Sequence, residues 1–175
     1  MLQIDPEISN DLIGSSVRIS QILMNLVGNA AKFNENGTIW LTIKLNKKTS
    51  DGHCRLFFEV KDNGIGIPKD KQAVIFKEFA QIGNDNYSHK GSGLGLSIVK
   101  KLLKLHNSEI SLESELGKGS SFSFELNLFE NKNVEETCAL AICLKDKKAT
   151  EKAHILVDDN KINLKITERM PLRIV

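Results

Sequence analysis

The chain has 175 residues and a mass of 19.5 kDa, with 41% hydrophobic and 26% charged residues. This is ordinary globular composition, which excludes a disordered or fibrous-repeat chain, and the length allows one domain and a remainder. Twenty-four basic residues against 22 acidic ones leave a formal charge of +2, so neither nucleic acid nor a membrane surface has an electrostatic claim as the main partner. Residues 15–33 begin the series of predicted elements. Ile19, Ile22, Leu23, Leu26, Val27, Ala30 and Ala31 recur at helical spacing. Asn36-Gly37 breaks the pattern, and Thr38 to Leu45 follows as a strand with Ile39, Leu41, Ile43 and Leu45 on one face. After a polar turn at Lys48–Gly52, Arg55 to Lys61 reads as a second strand, bounded by Asp62-Asn63-Gly64. Pro68 to Phe79 reads as a helix with proline near its start.

Residues 81–93 are polar and glycine-rich without apolar period, long for an ordered connection and therefore a candidate lid. Leu94 to His106 reads as an apolar helix, with Leu94, Ile98, Val99, Leu102 and Leu105 on its stripe. Two more strands follow, Glu109–Ser114 and Ser121–Leu128, joined by Gly117-Lys118-Gly119. Helices segregated from paired strands in this order predict a two-layer α/β sandwich, of α+β type, over residues 1–129. Residues 130–152 read as a charged linker with a short apolar run at Cys138–Leu144. His154 to Asn160 and a helical stretch up to Met170 then precede the end of the chain. Cys54, Cys138 and Cys143 form no Cys-x-x-Cys pair and are expected to be reduced, mostly buried thiols. No apolar run approaches the ~18 residues of a membrane span, and residues 1–20 lack a signal-peptide pattern. A cytoplasmic chain without membrane insertion is therefore expected.

Three stretches carry residues suited to chemistry. Asn25, Asn29 and Lys32 are spaced i, i+4, i+7 and lie within about 60° on the helix surface. Two amide oxygens and an ammonium on one strip suit a hydrated magnesium ion and phosphate oxygens, although taken alone a solvated helix face is the plainer explanation. In Asp62-Asn63-Gly64-Ile65-Gly66-Ile67-Pro68, a carboxylate at a strand end leads into two glycines. The carboxylate can accept a purine amino group, with Ile65 and Ile67 flanking a flat ring; a tight turn is the plain alternative. Gly91-Ser92-Gly93-Leu94-Gly95 enters a helix N-terminus, where backbone N–H groups and the helix dipole favour anions. It is neither a Rossmann fingerprint nor a P-loop, and it also reads simply as a helix entry after a loop.

The three stretches in this order resemble the catalytic, ATP-binding domain of sensor histidine kinases, in the superfamily that includes gyrase B, MutL and the Hsp90 chaperones. NLVGNAAKF (25–33) looks like the N box, DNGIGIP (62–68) the first glycine box, FKEFAQ (76–81) the F box and GSGLGLSIVK (91–100) the second glycine box. Leu116 to Phe122 matches the closing turn and strand, and the resemblance spans about residues 5–128. It implies a mixed sheet with helices packed on one face and an ATP lid. Asn29 would be the main magnesium ligand, assisted by Asn25, with Lys32 near the phosphates; Asn29 and Lys32 would be the catalytic residues. Asp62 would receive the adenine amino group, between Gly64, Ile65, Gly66 and Ile67. Gly91, Ser92, Gly93, Leu94 and Gly95 would bring backbone amides to the phosphates. Phe76 and Phe79 would anchor the lid, and Lys90 would make a second phosphate contact.

Two departures stand out: Asn107-Ser108 replaces the usual Gly-Gly after the last helix, and Ser15 stands where an Asp is common. Asparagine tolerates the left-handed conformation such a turn needs. His154 to Asn163 resembles the opening of a response-regulator receiver domain, with Asp158 and Asp159 as its acidic pair, so residues 153–175 read as a truncated receiver start. None of His53, His89, His106 and His154 lies in the dimerising helical hairpin that carries the phosphorylated histidine of these kinases. The resemblance thus implies Mg-ATP as substrate and a His-containing dimerisation domain in trans as acceptor, with a downstream receiver. A nucleotide-binding module without turnover is the second expectation. A chaperone- or topoisomerase-type ATPase ranks low, because the helix over 17–33 carries no carboxylate base.

Overall fold

The computed structural model describes residues 1–34, 37–80 and 92–131, and the backbone of 156–158 and 161–163. Its helices and strands run β1 (Leu2–Ile4), β2 (Asp11–Ile13), α1 (Ser16–Lys32), β3 (Ile39–Lys48), β4 (His53–Asp62), α2 (Lys69–Gln72), α3 (Gly95–Leu105), β5 (Ile110–Glu115), β6 (Gly119–Glu130), β7 (Leu156–Asp158) and β8 (Lys161–Asn163). The strands form one sheet in the order β1-β3-β4-β6-β2-β8-β7, with β5 pairing the first half of β6. β1 runs parallel to β3 and the other pairs are antiparallel, so the sheet is mixed. α1 and α3 pack against each other, and the expected two-layer α/β sandwich results.

Alternation in the two long central strands builds the core. Cys54, Leu56, Phe58 and Val60 on β4 and Phe122, Phe124, Leu126 and Leu128 on β6 are buried. In register, Phe58 faces Phe124, and their rings stack 4.9 Å apart. Ile19, Ile22, Leu26 and Ala30 of α1 close over this face, as the helical period predicts, while Ala31 stays exposed. On α3 the buried side is turned from the expected stripe: Val99 and Leu103 are fully buried, whereas Leu105 is exposed. The buried Cys54 thiol agrees with expectation; Cys138 and Cys143 lie outside the described residues.

Two expected helical stretches and two unexpected short strands differ from the sequence pattern. The helix expected over Pro68–Phe79 is a single turn, Lys69–Gln72, followed by turns in which Val74, Lys77 and Ala80 each donate to the carbonyl three residues back. Tertiary packing overrides helical pattern here: Ile75 is buried, Phe76 packs edge-on against Phe122 at 6.4 Å, and Phe79 is left-handed with φ +61°. β1 and β2, of three residues each, are too short to display a period. Finally, Lys161–Asn163, expected within a helix, is a strand that pairs with β2 and β7.

The departure at Asn107-Ser108 is accommodated by backbone geometry. Asn107 adopts φ +51°, its N–H donates to Lys104 O, and Ser108 N–H donates to Leu103 O. This is the Schellman closure of α3 with asparagine in the glycine place. Ser15 caps α1 without a side-chain hydrogen bond, so its difference from Asp is local.

His106, the last residue before that turn, has a buried Nε2 without a hydrogen-bond partner among the described residues. Burial, and secondarily the nearby Arg18, hold its pKa below the ordinary 6.5. The folded protein therefore binds fewer protons here than the unfolded chain, and stability is lost as pH falls below about 6.5. Melting temperature should drop between pH 7.5 and 5.5, and His106→Phe should flatten that slope. An equal slope in the variant would contradict the assignment.

Candidate nucleotide site

Asp62 ends β4 on the inner face of the sheet, and its side chain is buried. Burial pushes its carboxyl above the usual 3.8, while the backbone N–H groups of Gly64 and Ser120 pull it back. The Gly64 bond, 2.8 Å to Oδ1, occupies one oxygen and makes the first turn of the glycine loop. A carboxylate held here, half satisfied by backbone, is an acceptor prepared for one more polar hydrogen.

The loop after Asp62 is fastened on two sides. Ile65 N–H donates to Phe33 O at the end of α1, 3.3 Å away, and Gly117 N–H donates to Ile65 O at 2.7 Å. A Cβ at Gly64 would overlap the Phe33 carbonyl, so side-chain absence is what lets the loop lie against α1. Gly66 has φ +69°, and a Cβ there would overlap the Glu115 carbonyl in the β5–β6 turn. Asn63, unassigned from sequence, accepts from Thr38 N–H at 2.6 Å and from Asn34 Nδ2 at 3.2 Å, and so ties the start of β3 to the same loop.

Asn25 and Asn29 lie half-buried on α1, and Lys32 is half-buried one turn on, its Nζ 4.7 Å from the Phe33 ring centre. Gly95 begins α3 so close to Asn25 that an added Cβ would stand 3.2 Å from its Oδ1. The N-terminus of α3 thus abuts the asparagine face of α1. Gly93 precedes it with φ +71°, and Ser97 donates to Leu94 O at 2.8 Å in the first turn. First-turn N–H groups have no partner within their helix, which makes this end suited to an anion. The structure therefore joins all three stretches: α1 touches Gly95 on one side and Gly64–Ile65 on the other.

Some expected residues fall elsewhere. Ile65 is exposed at 46%, and Phe79 at 69%, so of the two phenylalanines expected to anchor a lid only Phe76 packs into the core. Ile67 is half-buried and Ser92 exposed. Lys90 and Gly91, with most of the expected lid, lie outside the described residues. Sequence reasoning missed Ser114, Ser120 and Gln72. Ser120 pairs with Asp62 across β4 and β6, a register that no local pattern reveals. Among the described residues no three His, Cys, Asp or Glu side chains gather as a metal site. The oxygen donors on α1 are amides, which fits a magnesium ion that arrives with phosphate ligands rather than one held by protein alone. No helix among the described residues is long and apolar enough to cross a membrane.

Comparison with known proteins agrees with this geometry. Residues 14–130 match the family described as histidine kinase-, DNA gyrase B-, and HSP90-like ATPase. Hybrid signal transduction histidine kinase L of Dictyostelium discoideum is 46% identical over 122 residues, 69% of this chain and 7% of that protein. Signal transduction histidine-protein kinase BarA of Escherichia coli is 37% identical over 134 residues, 76% of this chain and 14% of that protein. The chain thus spans a small fraction of the curated relatives it matches. Among solved structures, the nucleotide-free catalytic domain of histidine kinase ThkA is 31% identical with a TM-score of 0.57, covering 72% of this chain and 77% of that one. Full-length ShkA in complex with AMPPNP is 37% identical with a TM-score of 0.52, covering 65% of this chain and 22% of that one. With the family match over most of its length and a site assembled from the same three stretches, this chain belongs to the histidine kinase-, DNA gyrase B- and HSP90-like ATPases, as an ATP-binding domain of the histidine-kinase kind found in two-component systems.

Proposed function

We propose that the chain binds Mg-ATP and transfers its γ-phosphoryl group to a histidine on a partner dimerisation domain. The observation that carries this reading is the convergence of the α1 asparagine face, the Asp62 loop and the α3 N-terminus on one site. Asp62 receives the adenine amino group, with Gly64, Ile65, Gly66 and Ile67 around the ring. The amides of Gly91 to Gly95, with Lys32 and Lys90, would serve as phosphate contacts. Asn29, with Asn25, supplies oxygen ligands to magnesium, which when bound neutralises phosphate charge. Phosphoryl transfer needs mainly positioning and charge neutralisation, so the absence of a carboxylate base on α1 is compatible with a histidine acceptor. His53 starts β4 and His106 caps α3, positions unlike a phosphoacceptor on a helical hairpin. We further propose residues 1–129 as the ATP-binding domain, 130–152 as a linker and 153–175 as the start of a receiver domain, with a cytoplasmic location.

The test is to incubate the chain with radiolabelled ATP, magnesium and a separate histidine-hairpin domain. Label on the hairpin histidine supports the kinase reading. Nucleotide binding without label, across several hairpins, favours a silent binding module, the second reading. Asn29→Ala should weaken Mg-ATP binding about tenfold, to the level seen with EDTA, and leave EDTA binding unchanged, on the order of one strong polar contact. Equal loss with and without magnesium would contradict the ligand role of Asn29.

A further inference from the structure

We propose that Ser114 and Gln72 are positioning residues that hold the Asp62–Ile67 loop in its base-accepting shape, and so set adenine affinity without touching nucleotide. The inference rests on the reading of this loop as the adenine site.

Ser114 lies on β5, 47 residues from the loop it holds. Its hydroxyl accepts from Ile67 N–H at 2.8 Å and donates to Gly119 O at 2.9 Å. The Ser120 hydroxyl lies 3.0 Å away and can donate to it. A hydroxyl has one donor and two acceptor sites, so this arrangement uses its full capacity. It joins the far end of the glycine loop to the β5–β6 turn, whose return strand carries Ser120 beside Asp62. Gln72 doubles the joint: its Nε2 donates to Ile67 O at 3.0 Å and to Ser114 O at 2.9 Å, so both amide hydrogens bridge the same two residues. The third tie is Gly117 N–H to Ile65 O.

These bonds hold Gly66 against the Glu115 carbonyl, a contact only glycine permits. The loop therefore has no play on the hairpin side, and on the other side Phe33 O holds Ile65. Asp62 Oδ1 is engaged by Gly64, whose position depends on the loop remaining seated. Without Ser114 Oγ, the Ile67 N–H and Gly119 C=O lose their partner, and the loop between residues 63 and 67 is released from one end. Among the described residues, the hydrogen bonds of Ser114 and Gln72 reach neither α1 nor the start of α3. Loss of the clamp should thus separate base recognition from phosphate recognition.

The full chain is titrated with a fluorescent ATP analogue in magnesium, and ADP and inorganic tripolyphosphate are used as competitors. Ser114→Ala and Gln72→Leu should each weaken ADP about five- to tenfold, the worth of one or two lost polar contacts, and change tripolyphosphate less than about twofold. Ser114→Thr, which keeps the hydroxyl, should restore ADP binding. Equal weakening of both competitors in a folded variant, or no weakening of ADP, would overturn the positioning role. Should Ser114→Ala fail to fold, Gln72→Leu, altered on a short surface turn, decides the matter alone. Failure of the wild-type chain to bind ADP saturably is a separate result, which removes the adenine reading itself.

Discussion

Asp62→Asn should weaken ADP on the order of 100-fold and leave tripolyphosphate nearly unchanged, because it removes a charged acceptor worth about 1.5–3 kcal/mol. The carboxylate has two oxygens; Gly64 N–H occupies Oδ1 and Ser120 N–H also donates to the group. An amide has a single oxygen. If that oxygen keeps Gly64, the NH2 group faces the purine amino group, donor against donor; if it turns to the purine, the Gly64 N–H is orphaned. The same substitution should leave the melting temperature unchanged or raised. Burial holds the Asp62 pKa above 3.8, so the folded chain binds more protons than the unfolded chain between 3.8 and the raised value. Stability contributed by the protonated form is present at low pH and is lost as pH rises through that window. At neutral pH the ionised side chain is therefore a cost that Asn removes. Competition titrations and thermal melts at pH 7.5 check both halves. A variant that loses both competitors equally, or that melts much lower, would contradict a binding role kept at the expense of stability.

Gly66→Ala is the second large effect. The residue sits at φ +69°, and its Cβ would overlap the Glu115 carbonyl, so the loop must leave the hairpin. Backbone strain and overpacking together cost roughly 2–4 kcal/mol, or about 5–15 °C in melting temperature for a chain of this size. ADP binding should be lost with it. Gly28→Ala is the control: nothing lies within 4 Å of its added Cβ, and the residue is inside α1. Alanine there should stabilise by about 0.5–1 kcal/mol through helix propensity. Thermal melts of the two variants should move in opposite directions; a parallel fall would contradict the close packing assigned to Gly66.

The long elements were legible because their periods are long enough to repeat. Alternation over β4 and β6 and the apolar face of α1 appear in the chain as they do in the structure. The loop residues were legible by type: Asp62, Gly64 and Gly66 are where the turn chemistry put them, and the positive φ at Gly66 and Asn107 follows what those residues tolerate. What escaped was whatever depends on partners far away in the chain. Pro68–Phe79 looks helical locally, yet Gln72 is drawn to Ile67 and Ser114 and the chain turns after it. Ser114 and Ser120 are unremarkable serines until the register of β5, β6 and β4 sets them beside the glycine loop. β1 gains meaning only as the edge partner of β3, and β2 only between β6 and β8.

Nucleotide binding tests most directly whether the three separate stretches make one magnesium-nucleotide site. A fluorescent ATP analogue titrated into the full chain should bind saturably, be displaced by ADP, and bind more tightly with magnesium than with EDTA. A folded protein that shows no saturable binding under either condition would contradict such a site.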